Sequence, residues 1–335
     1  MGRIVCFGEI LLRMTAPGND LLLQRPQLDV WVGGAEANVA VALACLGHST
    51  AMASAVPDND LGEASLRFLR GYNVDVTHVA RRAGRMGFYF LAPGAGQRAS
   101  AIIYDREGSS FVRAAASDFD WDVILDGADR LHLSGITPAL GAGSAELTIV
   151  AAQAASERGV PVSFDGNYRP QLWQQWDGDA PTLLSALVAH ADILFGNRSD
   201  IGLLLGRTFS GEGSRARREA AEAAFAAFPR LQRIASTARH IEADGRHRLS
   251  ARLDTPDGAE QSEEIVVAAI VDRIGTGDAF AAGILHGLLG GDTPADTVAK
   301  GLGLCCLKHS LPGDACLLGL ADLQAFLDGQ YDVRR

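Results

Sequence analysis

The segment Asp272-Arg273-Ile274-Gly275-Thr276-Gly277-Asp278 places an acid beside a glycine-framed turn. A β-rich run, Ile265–Val271, precedes it, and an alanine-rich helical pattern follows it. Gly275, Thr276 and Gly277 are therefore expected to form the turn that opens a helix. The first amides of a helix have no internal partner, and the helix dipole adds partial positive charge there. Such a turn can hold a phosphate, or charge that develops as a phosphoryl group moves. Glycine at 275 and 277 lets the backbone come close to that group. A carboxylate at Asp278 can accept the proton of an attacking hydroxyl. One short segment would thus supply both a base and an anion cradle. The same residues also fit a plain glycine-rich turn with Asp278 as a cap or first-turn acid.

Other motifs are ruled out. No G-x-x-x-x-G-K-[ST] run occurs, which excludes a P-loop kinase. No G-x-G-x-x-G follows the first strand-like run, which argues against a dinucleotide-binding Rossmann enzyme.

Many elements must position this segment. The β-rich runs Arg3–Phe7, Leu131–Ser134, Val162–Asp165, Ile193–Gly196 and Arg233–Ser236 alternate with helical stretches. Those stretches include Glu36–Leu46, Ser144–Arg158, Arg215–Phe228 and Asp278–Leu289, with Gly47 and Gly159 where helices stop. The alternation predicts an α/β fold with a doubly wound, mostly parallel sheet flanked by helices. Ligands bind such sheets beyond the carboxyl ends of the strands. Residues 10–32 and 86–113 break the rhythm and read as strands and turns. Gly87–Leu91 and Ser100–Tyr104 look like paired strands joined through Pro93, Gly94 and Gly96. A small β-sheet lid on a single domain spanning 1–335 is expected.

Composition narrows the partners. Apolar residues make up 47% and charged residues 21%, enough for a large core and too ordered a mixture for wholesale disorder. No apolar run approaches the roughly 20 residues that cross a bilayer. The first residues enter a strand-like run at once and lack the zones of a signal peptide, so a cytoplasmic location is expected. The net charge of −10 argues against nucleic acid. Five cysteines without a C-x-x-C pair read as reduced, mostly buried thiols.

The Asp272–Gly283 segment resembles the C-terminal signature of the ribokinase/PfkB carbohydrate kinases. Val32–Gly47, with its Gly33-Gly34 pair and Asn38, resembles that family's other signature. The resemblance runs over nearly the whole chain and implies a ribokinase-like fold, ATP and Mg2+. Three further segments are similar to 2-keto-3-deoxygluconate kinases: Phe164–Trp173, Ile103–Ser110 and Lys308–Ala315. They imply that Gly33, Gly34, Asn38, Tyr89, Tyr104, Arg106, Arg169 and Asp314 meet a sugar acid. Two arginines suit a carboxylate, since the planar guanidinium binds it with two parallel hydrogen bonds. By residue type alone, Arg106 and Arg169 would be surface groups or halves of ion pairs, and the tyrosines lid packing.

On the nucleotide side, Asn197-Arg198-Ser199-Asp200 resembles the family's N-x-x-E element, with the shorter Asp at 200. Helix capping by Asn197 or Asp200 is the other reading. Thr237 and Arg239 are the candidates for phosphate contact. Asp272 resembles the acid that begins the family's monovalent-cation loop, which implies K+; an ordinary turn residue is the alternative. Exposed lid strands are association edges, so a homo-oligomer, a dimer through the lid, is expected. Competing functions are a same-fold kinase for fructose, ribose or a nucleoside, and a non-catalytic sugar-binding regulator on a kinase scaffold.

Overall fold

Residues 2–210 and 213–330 are described by a computed structural model. In chain order the strands are β1 (Arg3–Phe7), β2 (Leu11–Thr15), β3 (Asp29–Gly33), β4 (Ser49–Pro57), β5 (Val74–Asp75), β6 (Val79–Arg82), β7 (Gly87–Ala92) and β8 (Ala101–Asp105). They continue with β9 (Arg130–Ser134), β10 (Val162–Asp165), β11 (Ile193–Phe195), β12 (Arg233–Ile241), β13 (His247–Thr255), β14 (Gly258–Gln261) and β15 (Ile265–Val267).

The central run of the large sheet is β12-β11-β10-β9-β1-β4-β5, and every neighbouring pair in it is parallel. Strands β1, β9, β10 and β11 are buried almost throughout. That is the continuous apolar burial expected where helices cover both faces. Two apolar clusters, one on each side, form the core. One contains Ile4, Val41, Met52, Phe280 and Leu302; the other contains Val5, Phe7, Leu131, Phe164 and Ile234. The neighbours Ile4 and Val5 fall in different clusters because successive strand residues face opposite ways.

Beyond β12 the sheet turns antiparallel through β13 and β14, with β15 against β13. This extension differs from the expected alternation. The β-rich run before the acidic motif is also shorter than its composition suggests. Pairing stops at Val267, and Ala269 adopts φ 52°, which no strand residue can hold. A loop, rather than a strand, therefore leads into Asp272.

Strands β2, β3, β7 and β8 form a separate four-stranded sheet in the order β3-β2-β7-β8. Register sends alternate residues to opposite faces. Arg13, Trp31, Tyr89 and Tyr104 share one row across the sheet, and Met14, Val30, Phe90 and Ile103 share the next. Tyr89 and Tyr104 point into a cleft, whereas Val30 and Ile103 are more than half exposed. This is an α/β fold with a small second sheet over one edge.

The helix Thr276–Gly290 is apolar on nearly every side and buried through most of its length. Gly283 and Gly287 let it lie directly on the helix Pro294–Lys308. A Cβ at Gly283 would sit 2.7 Å from the Lys300 carbonyl oxygen, and one at Gly287 2.9 Å from Thr297 Cα. Close backbone contact fixes the position of everything at the helix's N-terminus. All five cysteines are free thiols, four of them buried. Among the described residues, no helix is long and apolar enough to cross a membrane.

Candidate active site

A cleft of about 760 Å3 runs along the carboxyl ends of the parallel strands and under the small sheet. Asp165 ends β10, Gly196 and Asn197 follow β11, and Ala235, Ser236 and Thr237 lie on β12. Tyr89, Ile102, Tyr104 and Arg106 close the cleft from the lid side. Gly275, Thr276, Gly277 and Asp278 form the floor between the two ends.

Gly275 is the N-cap of the helix Thr276–Gly290, with φ 76°. Only glycine holds that conformation without strain. A Cβ at Gly275 would overlap the Asp314 carbonyl oxygen. The first helical bond runs from the Ala279 amide to the Gly275 carbonyl at 2.9 Å. The amides of Thr276, Gly277 and Asp278 therefore lack helical partners. Beside Gly277 a Cβ would meet open space. The turn thus offers unpaired donors, and the dipole of a four-turn helix, to an anion in the cleft.

Asp278 is the third residue of that helix. Its Oδ2 accepts from Asn38 Nδ2 at 2.7 Å. Asn38 is held in turn at the start of the helix Ala35–Cys45, where its amide bonds the Gly34 carbonyl at 2.8 Å. Burial in the narrow cleft pushes the Asp278 carboxyl up to about 8; the Asn38 hydrogen bond opposes the shift, and the charges of Asp165, Asp314 and Glu36 add to it. An acid that titrates near neutrality and faces a cleft is poised for proton transfer.

Asp165 behaves similarly: burial raises it to about 7, against the pull of Arg169. Burial also raises Asp200, and there too Arg169 opposes the shift. Arg169 is exposed at the start of a short helix, Pro170–Trp173, and lines the cleft near these two acids. Arg106 is buried. Its Nε donates to Glu9 Oε2 at 2.5 Å, and Ser109 also donates to Glu9. Glu9 thus fixes the direction of Arg106 while the guanidinium still borders the cleft. Gly34, with φ 130°, packs so closely on the Glu9 carbonyl that a Cβ would overlap it.

The remaining sequence candidates fall into three groups. Asn197 and Asp200 line the cleft but also form a reciprocal cap. Asn197 Oδ1 accepts from the Ser199 amide at 2.7 Å, and Asp200 Oδ2 accepts from the Asn197 amide at 2.7 Å. Thr237 and Arg239 line the cleft on the same side. Asp314 borders the cleft, yet its carboxylate points at protein: Tyr89 donates to it at 2.6 Å, and Arg13 Nη1 lies 3.0 Å away, close enough to pair but poorly aligned for a hydrogen bond. Burial raises the Asp314 carboxyl to about 6, against the pull of Arg13. Gly33 is not in the cleft wall. It sits behind Asp314, where a Cβ would collide with that carboxylate.

Asp272 also lies outside the cleft wall, and the expected cation loop is not what surrounds it. Its Oδ2 accepts from Arg13 Nη2 at 2.6 Å and from the Gly313 amide at 3.1 Å, and its Oδ1 accepts from the Ile274 amide at 3.0 Å. Both oxygens accept hydrogen bonds from the protein, and the acid is already paired with a guanidinium. The residues present do not fit a monovalent metal. Among the described residues no three acids, histidines or cysteines cluster as metal ligands either. Asp165 and Asp200, close enough to share Arg169, suit a divalent ion held mainly through phosphates and water.

Several site residues give little signal in sequence. Glu9, Arg13 and Asp165 are single charged residues in apolar runs. Glu36 is fully buried beneath Gly8 and accepts from Ser134 and Thr137 hydroxyls at 2.7 Å each. Arg273 lies inside the motif itself. With Arg239 it forms a like-charged pair that lines the cleft, and neither makes an ion pair among the described residues. Two unbalanced cations beside an anion cradle call for a polyanion.

The arrangement suits transfer of a phosphoryl group to an alcohol. A buried carboxylate, unpaired amides at a helix start and two arginines without ion pairs meet at the carboxyl edge of a parallel sheet. The family model for pfkB family carbohydrate kinases matches residues 1–315. The chain is 30% identical to a 2-dehydro-3-deoxygalactonokinase of Haloferax volcanii over 97% of this chain and 96% of that protein. It is 28% identical to a 2-dehydro-3-deoxygluconokinase of Bacillus subtilis over 99% of this chain and 97% of the other. The crystal structure of a 2-dehydro-3-deoxygluconokinase from Thermotoga maritima superimposes with a TM-score of 0.92 at 35% identity, covering 98% of this chain and 100% of that one. The chain belongs to the pfkB family of carbohydrate kinases and is an ATP-dependent sugar kinase.

Proposed function

We propose that the chain phosphorylates 2-keto-3-deoxygluconate on its C6 hydroxyl, forming 2-keto-3-deoxy-6-phosphogluconate. The observation that carries this reading is the Asp278 carboxylate, oriented by Asn38 beside the free amides of the Thr276–Gly290 helix. Asp278 accepts the proton of the C6 hydroxyl as its oxygen attacks the γ-phosphate of ATP. The Gly275, Thr276 and Gly277 turn stabilises charge on the moving group. Mg2+ would reach the site with the nucleotide and neutralise phosphate charge, within reach of Asp165 and Asp200.

The substrate carboxylate is assigned to Arg106 and Arg169. Arg106 is pre-aimed by Glu9, which lowers the entropy lost on binding. Gly34 and Asn38 meet the sugar hydroxyls from the main domain, with Tyr89 and Tyr104 above. Asp314 serves indirectly, by fixing Tyr89. Asn197, Asp200, Thr237, Arg239 and Arg273 serve the nucleotide. Closure of the small sheet would exclude water and limit ATP hydrolysis.

The Haloferax relative's name supports a second reading, the C4 epimer 2-keto-3-deoxygalactonate. A coupled ADP-release assay over both epimers, fructose, ribose and nucleosides decides. Turnover of the gluconate epimer, with the Arg169→Ala variant raising its KM by about tenfold or more, is expected. Turnover of a neutral sugar with no response to Arg169→Ala would refute the sugar-acid assignment. Tight sugar binding without ADP release would indicate a regulator instead.

A further inference from the structure

Charged groups cluster beneath the Gly275–Gly277 turn, most of them buried. Arg13 is 1% exposed and is the largest fully buried side chain among the described residues. It spans two acids from the small sheet, with Nη2 2.6 Å from Asp272 and Nη1 3.0 Å from Asp314. Its guanidinium lies 5.9 Å from the centre of the Trp31 ring, an added cation–π contact. Lys308, which is fully buried, donates from Nζ to the Leu311 carbonyl at 3.0 Å; burial lowers its pKa, and the charges of Asp272 and Asp314 oppose that shift. The Arg13 guanidinium thus pairs with both acids at once, with Lys308 nearby.

The same network touches the turn. Asp272 holds the Ile274 amide, one residue before Gly275. The Asp314 carbonyl packs against Gly275 with no room for a Cβ. Displacement of either acid would therefore displace the Gly275–Gly277 amides. An uncompensated carboxylate here would also set negative charge directly behind an anion cradle.

We infer that Arg13 is a built-in cation that replaces a bound monovalent metal: it neutralises Asp272 and Asp314, holds the phosphate-facing turn, and frees the enzyme from K+. The inference rests on the reading of Gly275–Gly277 as the turn that meets the phosphate. Arg13 touches neither substrate, so it is a positioning residue. Its placement on β2 also ties the small sheet to the catalytic floor.

The test compares wild-type protein in potassium, sodium and tetramethylammonium chloride at equal ionic strength, by melting temperature and by ADP release with whichever sugar turns over. An ion that binds the native state raises its Tm, so a metal site would be seen without any knowledge of the substrate. The expected result is no K+-specific rise in Tm and rates equal within about twofold. Arg13→Ala should lower kcat by roughly 100-fold, the scale of a disturbed anion hole, and added guanidinium or K+ should restore part of it. Arg13→Lys should retain more activity than Arg13→Ala. Should Arg13→Ala not fold, the wild-type salt series still decides. A K+-specific gain in wild-type Tm and rate, or an Arg13→Ala protein with undiminished kcat, overturns the inference. A wrong sugar assignment would leave the melting data untouched, so the two failures are distinguishable.

Discussion

Replacing Asp278 by Asn should make the protein more stable and nearly inactive at once. The carboxyl titrates at about 8 in the fold against an ordinary 3.8, chiefly because burial disfavours its charged form. A native pKa raised above the unfolded one means the native state binds the extra proton. Stability therefore falls as pH rises from 3.8 through about 8. At 1.36 kcal/mol per unit, the full shift corresponds to about 6 kcal/mol above pH 8. The group still borders a water-filled cleft and shares its repulsion with Asp165, Asp314 and Glu36, which leaves about 1–2 kcal/mol to be recovered by Asn. The unfolding entropy of a 335-residue chain is about 0.7 kcal/mol/K, so that gain raises Tm by roughly 1.5–3 °C. Asn can still accept from Asn38 through its amide oxygen, so the local contact survives. Differential scanning calorimetry of both proteins from pH 5 to pH 9 measures the gap, which should widen with pH. Loss of the base should lower kcat by about 100- to 10,000-fold. For the wild type, kcat/KM should rise with pH, reaching half its maximum near 8 and levelling off above it. An Asn variant that melts lower than wild type at pH 9, or that keeps its kcat, refutes the reasoning.

The two glycines of the turn should separate structure from chemistry. Gly275→Ala forces φ 76° on a residue with a Cβ and drives that atom into the Asp314 carbonyl, so both Tm and kcat should fall. Gly277→Ala points its methyl into open cleft, so Tm should hold within about 1 °C while kcat drops roughly tenfold or more. Equal losses of Tm in the two variants would argue against this geometry. Arg273→Ala should raise the KM for ATP about tenfold and reduce its salt sensitivity, with little change in kcat, because the exposed guanidinium offers charge to the phosphates rather than shape.

Local pattern carries much of this fold. Alternating β-rich and alanine-rich runs announce the parallel sheet, and the paired runs around Gly94 announce the small one. The helix that opens after Gly275 is legible because turn and period lie within a dozen residues. What the pattern cannot show is pairing over distance. Arg13 and Asp272 are 259 positions apart, and Glu9 and Arg106 are 97 apart. Nothing near Asp272 marks the guanidinium that meets it, so a cation loop and a salt bridge read alike there. Gly33 invites the same confusion. A glycine that admits a ligand and one that admits a neighbouring carboxylate have the same sequence. The antiparallel extension at β13 escapes because a β-rich run states no direction.

The thiols have a practical consequence. Burial pushes Cys306 up to about 12 and Cys316 to about 11, and raises Cys6 and Cys305 further still. Peroxides and alkylating agents attack the thiolate, which these side chains scarcely form at neutral pH. Labelling of these four thiols by iodoacetamide should therefore report unfolding, whereas the half-buried Cys45 stays partly accessible in the native fold.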